Sequence, residues 1–377
     1  MSSLFQKIKN SIYNNIFSLF LFVFILNIFY TLLVSSLVPA HASFVSATCQ
    51  WDCFWYKEIV SYNYSAVPRL YDTNRLAQAD WSFFPLYPWL TQILTHFFHL
   101  SFEWSGLIFN LFLWPSVITL SYKDVSKRIK STNPILFSIF FLIYPFNIWY
   151  HSQYTESIYG FFLILLTIGS YNNNLLLSSL SSFFLSLSRP TGFITSCIIA
   201  TLKAVQNIKK GLLSKREILS DKNILCPLII VTAGAGLALF ILYLYHLTGD
   251  GLAFLHAERA WGKTGITSSF NVNYYRLHKG KIIFLIYFLM SFILLWKMRA
   301  TKWRLNMLVT AGTLFLVCCS GLTSVERYIF SNPLVIEFLA FYAAQLNGKK
   351  RLFLFTLCAI LNMLAMGLWL HHSHILI

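Results

Sequence analysis

Long apolar stretches alternate with short polar ones along nearly the whole chain. The apolar runs are Ile16–Val38, Trp104–Tyr122, Pro134–Trp149, Tyr154–Ser170, Leu175–Leu187, Gly192–Leu202, Ile224–Leu247, Ile282–Trp296, Leu305–Leu322, Tyr328–Leu346 and Leu352–Leu370. A helix needs roughly 20 apolar residues to cross a bilayer, fewer where protein surrounds it. The pattern therefore predicts an all-α polytopic bundle of about 11 transmembrane helices, with roughly 9 to 12 as the range the short runs allow. Leu175–Leu187 and Gly192–Leu202 are too short to span separately, and they predict two half-depth helices meeting at Arg189–Pro190. Two polar stretches are longer than the rest, residues 39–103 and 248–281. Within the first, Phe83–His99 is aromatic with prolines at its start, which predicts a helix lying in the membrane interface.

Composition supports this picture. Of the 377 residues, 57% are hydrophobic and only 11% charged, against about 25% charged in soluble domains. One membrane domain over residues 1–377 is expected, with no stretch polar enough to fold as a soluble unit. Lys7 and Lys9 ahead of Ile16–Val38 resemble a signal peptide, but the run exceeds the usual h-region of roughly 7–15 residues, so a retained first helix is expected.

The net charge of +16 raises the question of nucleic acid, and the placement of the charges answers it. With the N-terminus cytoplasmic and eleven crossings, 19 of the 29 basic residues fall on the cytoplasmic side beside three acids, Asp124, Glu217 and Asp221. The other side holds ten basic residues and nine acids, and Glu337 lies within a helix. This is the bias of the positive-inside rule, so no nucleic-acid partner is needed to explain the charge. The long stretches 39–103 and 248–281 then lie outside.

Seven cysteines give no secreted-domain framework. Cys197, Cys318, Cys319 and Cys358 fall in apolar runs, as small hydrophobes do. Cys49 and Cys53 share the first outer loop, where a disulfide and free thiols are both open readings. Zinc needs about four ligands, and no second pair accompanies them, so no metal and no cofactor are expected. His371, His372 and His374 read as a solvated tail.

The candidate chemistry lies in the outer segments. Asp52, within Gln50-Trp51-Asp52-Cys53-Phe54-Trp55-Tyr56, is an acid held among aromatics at a membrane surface. Such a carboxylate can act as a general base toward a hydroxyl. The plainer reading makes it the N-cap of a helix over Cys53–Val60. Trp81-Ser82-Phe83-Phe84-Pro85-Leu86-Tyr87-Pro88 either anchors the chain at the interface or shapes a groove. Glu156 sits at the outer mouth of a helix, with a substrate role and a pairing with Arg189 or Arg327 both open. Arg189, in Arg189-Pro190-Thr191-Gly192, and Arg327, beside Glu326, must find an anion or water at membrane depth. A lipid phosphate is one such anion, since guanidinium forms forked bonds with it. Arg259 and Trp261 belong to the second outer segment, in Glu258-Arg259-Ala260-Trp261-Gly262, where a helix over Phe254–Trp261 would serve either gating or interfacial packing.

These segments resemble the PIG-V family of GPI mannosyltransferases. The likeness rests on Trp51-Asp52 with Tyr56 and Ile59, Phe83–Pro88, Tyr154-Thr155-Glu156-Ser157, Ser188-Arg189-Pro190-Thr191-Gly192, and the Gly249–Gly262 segment, which follow in the family's order from about residue 50 to 330. The last two are most similar to the bacterial branch. Gln50 stands where the family usually has Arg, and Glu258 where the bacterial branch often has Gln. The resemblance implies a GT-C glycosyltransferase with a polyprenyl- or dolichyl-phosphate-linked sugar donor, typically mannose. It also implies a lumenal or periplasmic site, a glycolipid or glycan acceptor, and inversion at the anomeric carbon. Asp52 matches the first-loop acid taken as the base, while Trp51, Tyr56, Glu156, Arg189, Arg259, Trp261 and Arg327 are the candidate substrate-binding residues. The bacterial likeness favours the bacterial inner membrane, and a GPI pathway would place the chain in the endoplasmic reticulum. A transporter or flippase of lipid-linked sugar is the competing expectation, and an inactive assembly scaffold is a third.

Overall fold

A computed structural model describes residues 15–68, 78–209, 221–261 and 282–372. Its helices are α1 (Ile16–Ser35), α2 (Phe44–Thr48), α3 (Asp52–Tyr62), α4 (Leu86–Phe98), α5 (Phe102–Arg128), α6 (Pro134–Ile143), α7 (Glu156–Asn172), α8 (Leu175–Ser188), α9 (Pro190–Lys209), α10 (Asp221–Thr248), α11 (Ala253–Ala257), α12 (Ile282–Lys297), α13 (Arg304–Ser320), α14 (Val325–Phe330), α15 (Pro333–Gln345) and α16 (Gly348–Leu370). Each apolar run carries a helix. Among the described residues, five segments are long and apolar enough to cross a membrane, namely Ile16–Ser35, Phe102–Arg128, Ile224–Thr248, Thr301–Ser320 and Gly348–Leu370.

Local chemistry sets the boundaries. Asn15, Ser101, Asn133, Asn174, Asn332 and Asn347 each accept a backbone N–H at the start of the helix that follows, which satisfies donors a helix cannot pair internally. Prolines open α6, α9 and α15, where a missing N–H has no consequence.

The expected pair of half-depth helices differs from what forms. The segment after Arg189 makes a helix of 20 residues, reaching Lys209. The apolar run understated it because Lys203, Gln206, Asn207 and Lys209 interrupt the apolar pattern in its last two turns. α8 and α9 form a hairpin with Arg189 in extended conformation at its tip (φ −161°, ψ 152°). The hairpin closes tightly at Gly192, where an added Cβ would overlap the Leu185 carbonyl. Gly236 likewise lets α10 lie against the Phe183 carbonyl of α8.

The long helices α7, α9 and α13 run between two ends of the bundle. One end holds Asp52, Glu156, Arg189, Thr323 and Arg327, and is called the site end here. The other holds Arg128, Tyr171, Lys209 and Arg304. At the site end, α3 and α4 pack on each other and on α5, and Lys57 pairs with Glu103 at 2.6 Å. α4 buries Leu86, Tyr87, Pro88 and Thr91 and exposes Ile93, Phe97 and Phe98. In the second long segment the helix ends at Ala257 and a 3-10 turn covers Glu258–Trp261; residues 262–281 lie outside the described residues.

The core is heavily aromatic. Trp114 stacks on Tyr150 at 3.9 Å between ring centres. Near the site, Tyr56, Phe83, Phe84, Tyr87 and Tyr154 belong to one buried cluster. Rings carry large apolar area with few rotors, so they fix the surrounding backbone with little loss of side-chain freedom.

Candidate active site

α3 begins at Asp52 itself, preceded by Trp51, and no side chain caps it. The capping reading of Asp52 therefore does not describe this carboxylate, which points across the bundle to the Arg327 guanidinium. The turn that presents it is tightly held. Trp51 has φ +51° and ψ −106°, a region non-glycine residues seldom occupy and that typically costs on the order of 1–3 kcal/mol. A disulfide joins Cys49 and Cys53, with 5.2 Å between their Cα atoms, and spans the turn. The Tyr154 hydroxyl ties it from below, accepting the Asp52 N–H at 3.1 Å and donating to the Gln50 carbonyl at 2.9 Å.

Four charged side chains form a continuous chain. Arg327, from α14, donates to Asp52 through Nη1 and to Glu156 through Nε. Its Nη2 lies 3.5 Å from Glu156 Oε2, and its guanidinium sits 4.4 Å from the centre of the Tyr154 ring. Arg189, at the hairpin tip, donates to Glu156 through Nη2 and to Thr155 Oγ1 at 2.7 Å through Nε. Tyr159 and Tyr328 flank it at 5.5 Å each. The Glu156 side chain is 2% exposed and the Asp52 side chain 32%. Two carboxylates and two guanidiniums thus balance, which a buried group of charges requires. Glu156 also opens α7, where the helix dipole favours an anion.

Above this chain lies a cavity of about 590 Å³. Asp52, Arg189 and Arg327 give it a charged wall, and Trp51, Trp55, Tyr56, Phe83 and Tyr328 an aromatic one. Ser188, Thr323 and Ser324 add small polar groups, and Gln78 and Glu258 approach from the loops. Burial raises the Tyr56 phenol pKa, with the nearby Arg327 charge acting the other way; Tyr56 therefore stays protonated and can donate. A carboxylate open to such a cavity can take a proton, and two guanidiniums beside it can hold a phosphate.

The sequence candidates are placed unequally. Asp52, Trp51, Tyr56, Arg189 and Arg327 converge on the cavity. Glu156 lies beneath it, with its oxygens engaged by the two arginines, so it positions them instead of lining the cavity. Arg259 is exposed, and Glu258 is the residue of that segment that reaches the cavity. The Trp261 side chain lies outside the described residues. Gln50 is turned away, with its amide on the Ala47 carbonyl at 2.7 Å and near His372 at 3.2 Å. That His372 contact and a His371 contact of 3.2 Å to the Leu37 carbonyl show that the expected solvated tail is tethered at its start; His374 lies outside the described residues. Sequence reasoning missed Tyr154 and Thr155 as supports. Their adjacency to Glu156 was the available signal.

No protein-family model matches the chain, and no curated protein does. Solved structures do. The oligosaccharyltransferase of Archaeoglobus fulgidus, in complex with zinc and sulfate, matches over 92% of this chain and 53% of its own, with 12% identity and a TM-score of 0.50. Its apo form matches over 96% and 56%, with 12% identity and a TM-score of 0.49. An archaeal oligosaccharyltransferase AglB from the same organism, with an inhibitory peptide and a dolichol-phosphate, matches over 94% and 55%, with 10% identity and a TM-score of 0.47. This chain spans about half the length of these proteins. At such identity the likeness shows the fold alone, an all-α helical bundle.

Proposed function

We propose that this chain is a membrane glycosyltransferase that moves a sugar, mannose by the PIG-V resemblance, from a polyprenyl- or dolichyl-phosphate donor to a hydroxyl of a glycolipid or glycan. The observation that carries this reading is the Asp52 carboxylate, open to a 590 Å³ cavity beside Arg189 and Arg327. Asp52 takes the proton of the acceptor hydroxyl as that oxygen bonds to the anomeric carbon. The carbon–oxygen bond to the lipid phosphate breaks on the opposite side, and the phosphate leaves with the electron pair. Configuration at the carbon inverts. Arg189 and Arg327 meet the phosphate and stabilise the charge it gains. Phosphate leaves without protonation, so one carboxylate suffices where a glycosidase needs two. A donor phosphate also competes with Asp52 for Arg327, which frees the base as the donor arrives.

Two observations support a non-cytoplasmic site. The end of the bundle away from Asp52 gathers Lys123, Lys127, Arg128, Lys203, Lys209, Arg304 and Lys350, the side that the positive-inside rule assigns to the cytoplasm. The Cys49–Cys53 disulfide beside the base suits an oxidising compartment. The bacterial character of the last two motifs favours the bacterial inner membrane.

The test is transfer from a synthetic polyprenyl-phosphate mannose to extracted glycolipids by the purified protein. Asp52→Asn is expected to lower the rate by about 10²–10⁴-fold with the melting temperature retained. Wild-type protein that transfers no sugar, yet moves lipid-linked sugar across liposomes, would instead be a flippase.

A further inference from the structure

A second group of buried charges lies on α5, α7, α13 and α15, away from the Asp52 cavity. Asp124 and Arg128 stand one turn apart on α5 and pair at 2.6 Å. The same guanidinium reaches Glu337 of α15 at 3.4 Å. Thr167 of α7 donates to Asp124 Oδ1 at 3.2 Å. Asn306 of α13 donates through Nδ2 to Glu337 Oε2 at 3.1 Å and to the Leu334 carbonyl at 2.7 Å. Both partners are acceptors, which fixes the amide with its nitrogen toward them. The Ser121 hydroxyl of α5 faces the same Glu337 carboxyl. The Asp124 side chain is 2% exposed and that of Glu337 is fully buried.

Two needs are left unmet within this group. Glu337 Oε1, Asn306 Oδ1 and Ser121 Oγ have no hydrogen-bond partner among the described residues, and all three residues are buried. Buried oxygens in that state call for an ion, a water or a proton. In addition, two carboxylates share one guanidinium. Among the described residues, Arg128 is the one cation within ion-pair distance of either, and a buried charge without its counter-charge is costly. One hard cation of single charge answers both needs. Such ions take carboxylate, amide and hydroxyl oxygens, the three groups present here. A water supplies no charge, and a divalent ion would leave an excess of it. A proton supplies the charge, but as one O–H donor it engages one acceptor, where an ion engages all three oxygens. Packed at hydrogen-bond spacing in a close-packed interior, these groups suit sodium over the larger potassium.

We propose that this group binds one sodium ion, with Glu337 Oε1, Asn306 Oδ1 and Ser121 Oγ as its protein ligands, in competition with a proton for Glu337 Oε1. The ion ties α15 to α5 and α13 within the bundle. Arg128 also lines a cavity of about 490 Å³ at the end opposite Asp52, which brings solvent within one side chain of Glu337. The proposal is independent of the sugar-transfer reading and stands or falls on binding alone.

The full-length protein is purified in sodium-free choline chloride, and sodium, potassium or further choline is added at equal ionic strength. Dicyclohexylcarbodiimide reacts with buried carboxyls in their protonated form, and peptide mass spectrometry follows its addition to Glu337 beside the melting temperature. Sodium is expected to raise the melting temperature and to slow labelling of Glu337, about 10-fold at roughly ten times its dissociation constant. Labelling of Glu326, a buried carboxyl outside the group, is expected to ignore sodium. Ser121→Ala is expected to need several-fold more sodium for the same protection, with labelling in choline unchanged. Glu337→Gln keeps the side-chain shape; its melting temperature is expected to ignore sodium and to be no lower than that of wild type in choline. Labelling of Glu337 that falls with rising pH but ignores sodium would assign the site to a proton alone and overturn the ion. Equal protection by potassium or choline would overturn sodium as the ligand. Glu337 left unlabelled in choline at every pH would overturn an exchangeable site, and an unaltered sodium response in Ser121→Ala would remove Ser121 from the ligands.

Discussion

Asp52 and Arg327 meet across 275 residues of chain, the carboxylate accepting from the guanidinium at the edge of the cavity. The same guanidinium continues to Glu156. The proposed base and the proposed phosphate-binding cation are thus held by one group of charges, and several consequences can be measured.

Glu156→Gln removes the anion that two buried arginines share. Breaking a buried ionic group by deleting one partner costs about 3–5 kcal/mol. The variant is expected to melt well below wild type and to lose donor binding more than Asp52→Asn does. A thermal melt with a donor titration checks this. A variant with unaltered donor affinity would show that Glu156 does not position Arg189 and Arg327.

Gly192→Ala acts on the hairpin tip. The new methyl would overlap the Leu185 carbonyl, which is backbone and cannot rotate aside. Overpacking of this kind costs about 1–3 kcal/mol. Because Arg189 sits three residues earlier, donor affinity should fall along with stability. Gly234→Ala, where the nearest outside atom is the Phe193 ring at 3.9 Å, is the control expected to show neither effect.

The Cys49–Cys53 disulfide closes a loop separated by only four positions. So short a loop contributes about 2 kcal/mol in the chain-entropy model. Its larger effect should be on the turn that presents Asp52. Cys49→Ser/Cys53→Ser, or treatment with dithiothreitol, is expected to lower turnover several-fold while moving the melting temperature little. Equal activity of oxidised and reduced protein would remove the disulfide from any functional account.

Glu326 lies on α14, beside Arg327 but facing the other way. Among the described residues, neither of its carboxyl oxygens has a hydrogen-bond partner. Burial raises its pKa to about 8 from its ordinary value of 4.5. The fold therefore holds this carboxyl neutral, while the unfolded chain loses the proton above 4.5. Stability from this group is full below pH 4.5 and is lost as pH rises to about 8. The size is on the order of a few kcal/mol. Glu326→Gln should flatten that decline and melt higher than wild type at pH 8.5, as melting across pH would show.

The site was partly legible in the chain. Asp52, Arg189 and Arg327 are charges set among apolar residues, and charge at membrane depth needs an anion, water or a function. Reading them as candidates needed no structure. Glu156 was legible as a polar exception but not as a support, because two readings fitted equally and only its 2% exposure beneath two arginines separates them. Arg259 and Glu258 show the limit more sharply. They are adjacent, and the direction in which a 3-10 turn faces them decides that Glu258 lines the cavity while Arg259 is exposed.

By itself the sequence determined the helices, because runs of apolar residues leave a backbone no other way to satisfy its polar groups in a membrane. It also determined that Lys and Arg would collect at one end, since each run returns the chain to one side or the other. It did not determine the 20-residue length of α9, whose last turns mix Lys203, Gln206, Asn207 and Lys209 with apolar residues and fall outside any apolar run. Nor did it reveal which charges share a partner. Asp52, Glu156, Arg189 and Arg327 come from four separate segments, and their pairing depends on how the helices pack. Only the tertiary structure brings them close enough for each buried charge to find its counter-charge.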